Sequence, residues 1–172
     1  MLTGFPSPSF LSPDMEVETV ANIDAGALYQ RGIRGVGFDA DQTLCRFYGK
    51  EIDADLSENV ERIRETFDGN VCIISNCTAQ RHAELVENFP LHVIPVHSKK
   101  PSSDPFRAAE KHFQLPPSKW AFVGDRLLTD IVGANRAGWL SVLVNPLVPD
   151  SDPWYMRPAR RYEHILRKAY RV

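Results

Sequence analysis

From Gly35 onward, short apolar runs alternate with longer amphipathic stretches. The runs at 35–38, 71–74, 92–95, 120–123 and 140–144 are four or five residues long and bounded by polar or turn-forming residues, the pattern of strands buried on both faces. Between them, 56–67, 79–88, 105–113 and a stretch ending at Ala137 predict helices. Leu56, Val60, Ile63 and Phe67 recur at helical spacing. Asp104 and Pro105 suit an N-cap and first turn, and Gly138 suits a left-handed C-terminal cap. This βαβα rhythm predicts an α/β fold, a Rossmann-like parallel sheet of five strands flanked by helices. Residues 1–21 read as an irregular N-terminal arm, 22–150 as the core, and 151–172 as a basic C-terminal helix.

In an open parallel sheet the ligand crevice lies beyond the carboxyl ends of the strands, so the residues following each run carry the functional information. Four exits are polar. The first, GVGFDADQTL, places Asp39 and Asp41 two residues apart, able to project to the same side. At about 4 Å and an effective dielectric near 20, two carboxylates repel by roughly 4 kcal/mol. A proton on one or a divalent cation beside them relieves this, and both suit phosphoryl chemistry, with one carboxylate as nucleophile and the other as acid. An Asx-type turn is the alternative without chemistry. A calcium loop is excluded, because the sixth and twelfth positions counted from Asp39 are Leu44 and Lys50. No GxGxxG or Walker pattern occurs.

The second exit ends in Ser75 and Asn76 ahead of a helix that Thr78 can cap, an arrangement that suits a phosphate oxygen. The third carries Lys99 and Lys100 before Pro101, where a lysine would offset phosphate charge. The fourth holds Asp125 and Asp130, oxygen ligands that together with Asp39 resemble a magnesium site. Each exit alone has an ordinary reading as a cap, a solvated lysine pair or a helix-terminal acid. The four together supply a nucleophile, an acid, a hydroxyl, a lysine and metal ligands to one crevice.

These motifs resemble the haloacid dehalogenase superfamily of aspartyl phosphotransferases: Asp39, Asp41 and Thr43 as DxDxT, then Ser75, Lys100 before Pro101, and Asp125 with Asp130 as GDxxxxD. The resemblance implies that Asp39 is the nucleophile and Asp41 the general acid and base. It implies that Asp39, the carbonyl of Asp41 and Asp125 hold Mg²⁺ with Asp130 in support. Ser75 and Asn76 would bind phosphate, Thr43 would steady the first loop in the substrate-binding set, and Lys100 would offset charge. Residues 44–70 and 77–98 leave no room for a cap domain, so the site is open and suits a bulky substrate such as a lipid headgroup. RGIRGVGFDADQTL, KKP and GDRLLTDIVGANRAG are similar to the YqeG-type group and to phosphatidylglycerophosphate phosphatases. Gln42 stands where that resemblance has Asn, and its spacing gives it no role. Another phosphomonoester (a nucleotide, a sugar phosphate or a phosphoprotein) and a non-catalytic binding protein of the same fold are the alternatives.

Composition narrows the setting. With 172 residues, 43% hydrophobic and 24% charged, the chain suits one globular domain. A net charge of −2 argues against a nucleic-acid partner. Three cysteines without a CxxC pair argue for a reducing compartment. The first cation is Arg31, and no apolar run approaches the length of a spanning helix, so a cytoplasmic protein is expected, with peripheral attachment to the inner face of a membrane. The tail supports attachment. Residues 156–172 hold six cations and one acid, and Tyr162, Ile165, Leu166, Ala169 and Tyr170 form an apolar stripe opposite arginines. A helix docked on the core is the alternative reading.

Overall fold

A computed structural model describes residues 8–95 and 98–170, the side chains at 8–9, 150 and 168–170 excepted. Its centre is a six-stranded, all-parallel sheet in the order β1-β6-β5-β2-β3-β4. The strands are β1 (Met15–Glu16), β2 (Gly35–Phe38), β3 (Val71–Ile73), β4 (His92–Val93), β5 (Trp120–Gly124) and β6 (Leu140–Leu143). The helices are α1 (Pro8–Leu11), α2 (Ala25–Gln30), α3 (Ala54–Thr66), α4 (Ala79–Asn88), α5 (Asp104–Phe113), α6 (Val132–Ala137) and α7 (Arg157–Tyr170).

Five strands and their helices lie where the periodicity puts them. The sixth, β1, comes from the segment read as an irregular arm: Met15 and Glu16 pair with Val142 and Leu143 of β6. Two residues are too few to show an alternation of their own. The strand is fixed from outside, because the Asp14 carboxylate accepts hydrogen bonds from the Ser141 N–H and hydroxyl at 2.8 and 3.1 Å.

The two faces of the sheet are filled differently. In β5, Trp120 and Phe122 face one cluster with Phe106 and Trp139, while Ala121 and Val123 face the other with Val36, Phe38, Leu56 and Ile63. This is the period-two alternation of a strand buried on both sides. The neighbouring β2 answers the bulky face with glycines: a Cβ on Gly35 would stand 2.7 Å from the Trp120 ring, and one on Gly37 2.9 Å from Phe122. The glycines of GVGF therefore make room for aromatic rings.

The strand order reverses direction at β2, which lies between β3 and β5. That is the topological switch point at which open α/β sheets form their crevice. Asp39 leaves β2 there, Asp125 leaves β5 on one side, and Ser75 follows β3 on the other.

Candidate active site

The crevice is a cavity of about 330 Å³ whose walls include Asp39, Asp41, Ser75, Lys100, Asp125 and Asp130. Asp39 continues the sheet, its N–H donating to the Val123 carbonyl at 2.9 Å. Beyond it the chain curls tightly: the N–H groups of Thr43, Leu44 and Cys45 all point to the Ala40 carbonyl, at 3.2, 2.9 and 3.2 Å. This turn separates the two acids.

Asp39 joins a buried charge cluster. Lys100 Nζ lies 2.7 Å from Asp39 Oδ1, 2.8 Å from Asp130 Oδ1 and 2.7 Å from the Ile74 carbonyl, so three acceptors surround its three protons. Its backbone is fixed as firmly, because Asn76 accepts from the Lys100 N–H at 2.7 Å and donates to the Lys100 carbonyl at 2.8 Å. One amide proton and the amide oxygen of Asn76 are thus engaged by the lysine peptide, and both Ser75 and Asn76 stand in the cavity wall. Asp130 is set by the Arg126 N–H, 3.0 Å from its Oδ2. A side chain at Gly124 would collide with the Asp130 carboxylate, which explains the glycine before Asp125.

Asp41 sits in a different environment. Its Oδ1 accepts from Arg81 Nη2 at 2.8 Å and from the Tyr48 N–H at 3.0 Å. Arg81 is 1% exposed and also donates to the Gly49 carbonyl at 2.8 Å, tying the 41–49 loop to α4. Asp41 Oδ2 makes no hydrogen bond among the described residues, and Asp41 lines the cavity.

Thr43, expected among the substrate-binding residues, is buried behind the wall, its hydroxyl 3.4 Å from Asp125 Oδ1. The role of Gln42 is visible only in three dimensions. Its backbone is left-handed (φ 69°) and its buried amide clamps the turn before α7. Nε2 donates to the Val148 carbonyl at 3.1 Å and to Ser151 Oγ at 2.6 Å, and Oε1 accepts from the Val148 N–H at 2.9 Å. Asp152, buried in the same turn, holds Arg160 Nε at 2.7 Å, and Arg160 Nη1 reaches Asp125 Oδ2 at 2.7 Å. A residue from the basic tail therefore enters the cavity.

Neither Arg81 nor Arg160 was legible as a site residue in the sequence. Arg81 carries one usable signal, since it falls three residues after the Thr78 cap at the second strand exit. Arg160 carries none, being one of several arginines in a basic stretch.

The carboxylate oxygens of Asp39, Asp125 and Asp130 lie within 4.8 Å of one another and could hold a metal ion. Burial pushes Asp39 up to about 6 against the pull of Lys100, with Asp130 adding to the rise. Burial also pushes Asp125 up to about 7 against Arg160, with Asp130 and Asp39 adding to it. Lys100 meets the same desolvation, but Asp130 and then Asp39 outweigh it and hold its ammonium above the ordinary lysine range. A protonated Asp39 would waste its 2.7 Å contact with Lys100, so burial and ion pairing are opposed here, a conflict that a divalent cation would resolve toward the ionised acids. Two observations fit such an ion. Three carboxylates face two cations, Lys100 and Arg160, leaving a net negative charge. Asp125 Oδ2 is buried without an aligned hydrogen bond despite its contact with Arg160, leaving a lone pair for a ligand.

The chain matches the family described as Mitochondrial PGP phosphatase over residues 1–148. It is 34% identical over 169 residues to phosphatidylglycerophosphate phosphatase 1, chloroplastic/mitochondrial, of Arabidopsis thaliana, covering 94% of this chain and 48% of that one. It is 33% identical to the chloroplastic phosphatidylglycerophosphate phosphatase 1 of Chlamydomonas reinhardtii, covering 91% of this chain and 61% of that one. It is 30% identical to the probable phosphatase YqeG of Bacillus subtilis, covering 93% of this chain and 91% of that one. The chain thus spans about half to three fifths of the two algal and plant relatives. The fold recurs in the crystal structure of an uncharacterized protein from Listeria monocytogenes serotype 4b, with a TM-score of 0.54 at 17% identity over 79% of this chain and 99% of that one. The family match over residues 1–148, together with the 30% identity to a relative of which this chain covers 91%, shows that this chain belongs to the PGP phosphatase family.

Proposed function

We propose that the chain is a Mg²⁺-dependent phosphatase that hydrolyses the terminal phosphomonoester of phosphatidylglycerophosphate through an aspartyl-phosphate on Asp39. The observation that carries this reading is that Asp39 and Asp41, two residues apart in sequence, are held by different cations. Asp39 faces Lys100 and the acidic cluster, and Asp41 faces Arg81. That separation suits a nucleophile and a proton carrier.

In the first step Asp39 attacks phosphorus, the bond between phosphorus and the ester oxygen breaks, and Asp41 gives a proton to the leaving alkoxide. In the second, Asp41 takes a proton from water, which attacks the same phosphorus and releases phosphate and free Asp39. Lys100 keeps Asp39 oriented, and Ser75 meets the phosphate oxygens. Asp39, the Asp41 carbonyl and Asp125 would hold Mg²⁺, with Asp130 fixed behind them; the ion supplies positive charge to the transferring phosphoryl group.

The substrate follows from the family and from the open crevice. No helix among the described residues is long and apolar enough to cross a membrane; on this reading the lipid is met at the membrane surface, from the cytoplasmic side. The orientation of α7 supports that meeting and reverses the simple amphipathic expectation. Its polar residues dock on the core, with Glu163 2.9 Å from Arg126 and Arg167 2.8 Å from Glu16, alongside Leu166. Tyr162 and Ile165 are left exposed, as are Trp154 (80% exposed) and Tyr155 in the turn that precedes the helix. Aromatic and aliphatic side chains beside exposed arginines suit an anionic lipid interface. Ala169 and Tyr170 of the expected stripe lie outside the described side chains.

The test is phosphate release from vesicles carrying phosphatidylglycerophosphate against soluble phosphomonoesters at equal concentration. Preference for the vesicles is expected, and equal or better turnover of a nucleotide or sugar phosphate would move the assignment to that substrate.

A further inference from the structure

A second cavity, of about 890 Å³, opens between α7 and the end of β6. It is not separate from the catalytic crevice, because Asp125, Asp152 and Arg160 line both. Its walls combine apolar surface from Leu127, Leu143, Pro146 and Pro149 with cationic surface from the helix. The acids among its lining residues already face arginines: Asp125 and Asp152 face Arg160, and Glu163 faces Arg126. Arg157 and Arg161 remain, both exposed and neither paired with a carboxylate among the described residues; the Nε of Arg157 donates only to the Asp152 carbonyl, at 3.2 Å.

We infer that this groove binds the phosphodiester and proximal acyl portion of an anionic phospholipid, so that the lipid's terminal phosphomonoester reaches Asp39 past Arg160. The inference rests on the lipid-phosphatase reading above and adds the place where the rest of the substrate lies. Two uncompensated guanidinium groups match one diester anion, which they can bind in bidentate geometry. The apolar walls match the stem that joins the diester to the acyl chains, a need that free phosphate or a nucleotide does not have. A volume of about 890 Å³ also lies within the range of ligand sites. Arg160, fixed between Asp125 and Asp152, stands where the two cavities meet.

The test uses the full chain and the double variant Arg157→Gln/Arg161→Gln, whose residues are exposed and hold no fold contact beyond one carbonyl. Binding of dihexanoyl phosphatidylglycerol, which has the diester and no monoester, is measured by calorimetry. In parallel, kcat/KM is measured for phosphatidylglycerophosphate and for an aryl phosphate. The inference expects wild type to bind the lipid more tightly than its acyl-free headgroup, glycerophosphoglycerol. It expects the double variant to lose about tenfold or more in lipid affinity, with the ratio of kcat/KM for lipid over aryl ester falling by a similar factor through KM. An unchanged lipid affinity and an unchanged ratio would overturn it, as would equal affinity for the acyl-free headgroup. Arginine-dependent binding of phosphatidylglycerol in a protein that does not hydrolyse phosphatidylglycerophosphate would sustain the groove and refute the substrate assignment instead.

Discussion

Arg81→Met removes a buried guanidinium while keeping most of its aliphatic stem. Breaking a buried pair by deleting one partner costs about 3–5 kcal/mol. The Asp41 side chain keeps the Tyr48 N–H and is 19% exposed, so water recovers part of that loss, and roughly 2–3 kcal/mol is the expected destabilisation. For a chain of this size 1 kcal/mol moves the melting temperature by about 2–4 °C, which makes the expected drop roughly 4–12 °C. The functional loss is larger, because the loop that carries Asp41 is pinned by the same guanidinium at Gly49. If Asp41 moves protons, kcat on an aryl phosphate falls about 100-fold or more. Ile63→Val, a core change about 1 kcal/mol weaker than wild type, serves as the control and is expected to leave kcat within a factor of about two. A fall in melting temperature with wild-type kcat would refute the claim that Arg81 positions a catalytic Asp41.

Other outcomes follow from the same contacts. In EDTA, Asp39 and Asp125 bind protons more tightly folded than unfolded. Their contribution to stability is therefore fully present below about pH 4 and is lost as pH rises through about 6 to 7. The melting temperature should fall from pH 5 to pH 7.5, and Mg²⁺ should raise it most at the upper end; a flat profile in EDTA would contradict these shifts. Gln42→Ala and Gln42→Gly both lose the clamp on the 148–152 turn, but glycine relieves the strain of a positive φ that glutamine and alanine share. Urea unfolding should rank wild type above Gln42→Gly and Gln42→Gly above Gln42→Ala by about 1 kcal/mol. Gly124→Ala forces Asp130 from its place against Lys100, and should reduce phosphatase turnover at least about tenfold while the far-ultraviolet circular dichroism stays that of wild type.

The strands and their exits were legible because each apolar run is short, buried on both faces and followed at once by polar residues. A parallel sheet leaves few other arrangements for such a pattern. Asp39, Ser75, Lys100, Asp125 and Asp130 therefore converge as their spacing implied. What stayed hidden depends on contacts remote in sequence. Arg81 reaches Asp41 across 40 positions, and Gln42 holds a turn more than 100 residues away. The Arg160 contact needs Asp152, the Gln42 clamp and the docking of α7, none of which has a local pattern. Asn76 and Thr43 show the complementary limit. Their residue types gave no sign of the contacts their side chains make to the backbone of Lys100 and the carboxylate of Asp125.

Whether Asp39 accepts the phosphoryl group of a phospholipid can be decided by acid-quenching the protein during turnover of phosphatidylglycerophosphate with Mg²⁺ and mapping the modified peptide by mass spectrometry. One phosphoryl adduct is expected on the peptide containing Asp39, absent from Asp39→Asn, with phosphatidylglycerol as the lipid product. Sustained conversion of the lipid by Asp39→Asn, or an adduct on another residue, would contradict that role.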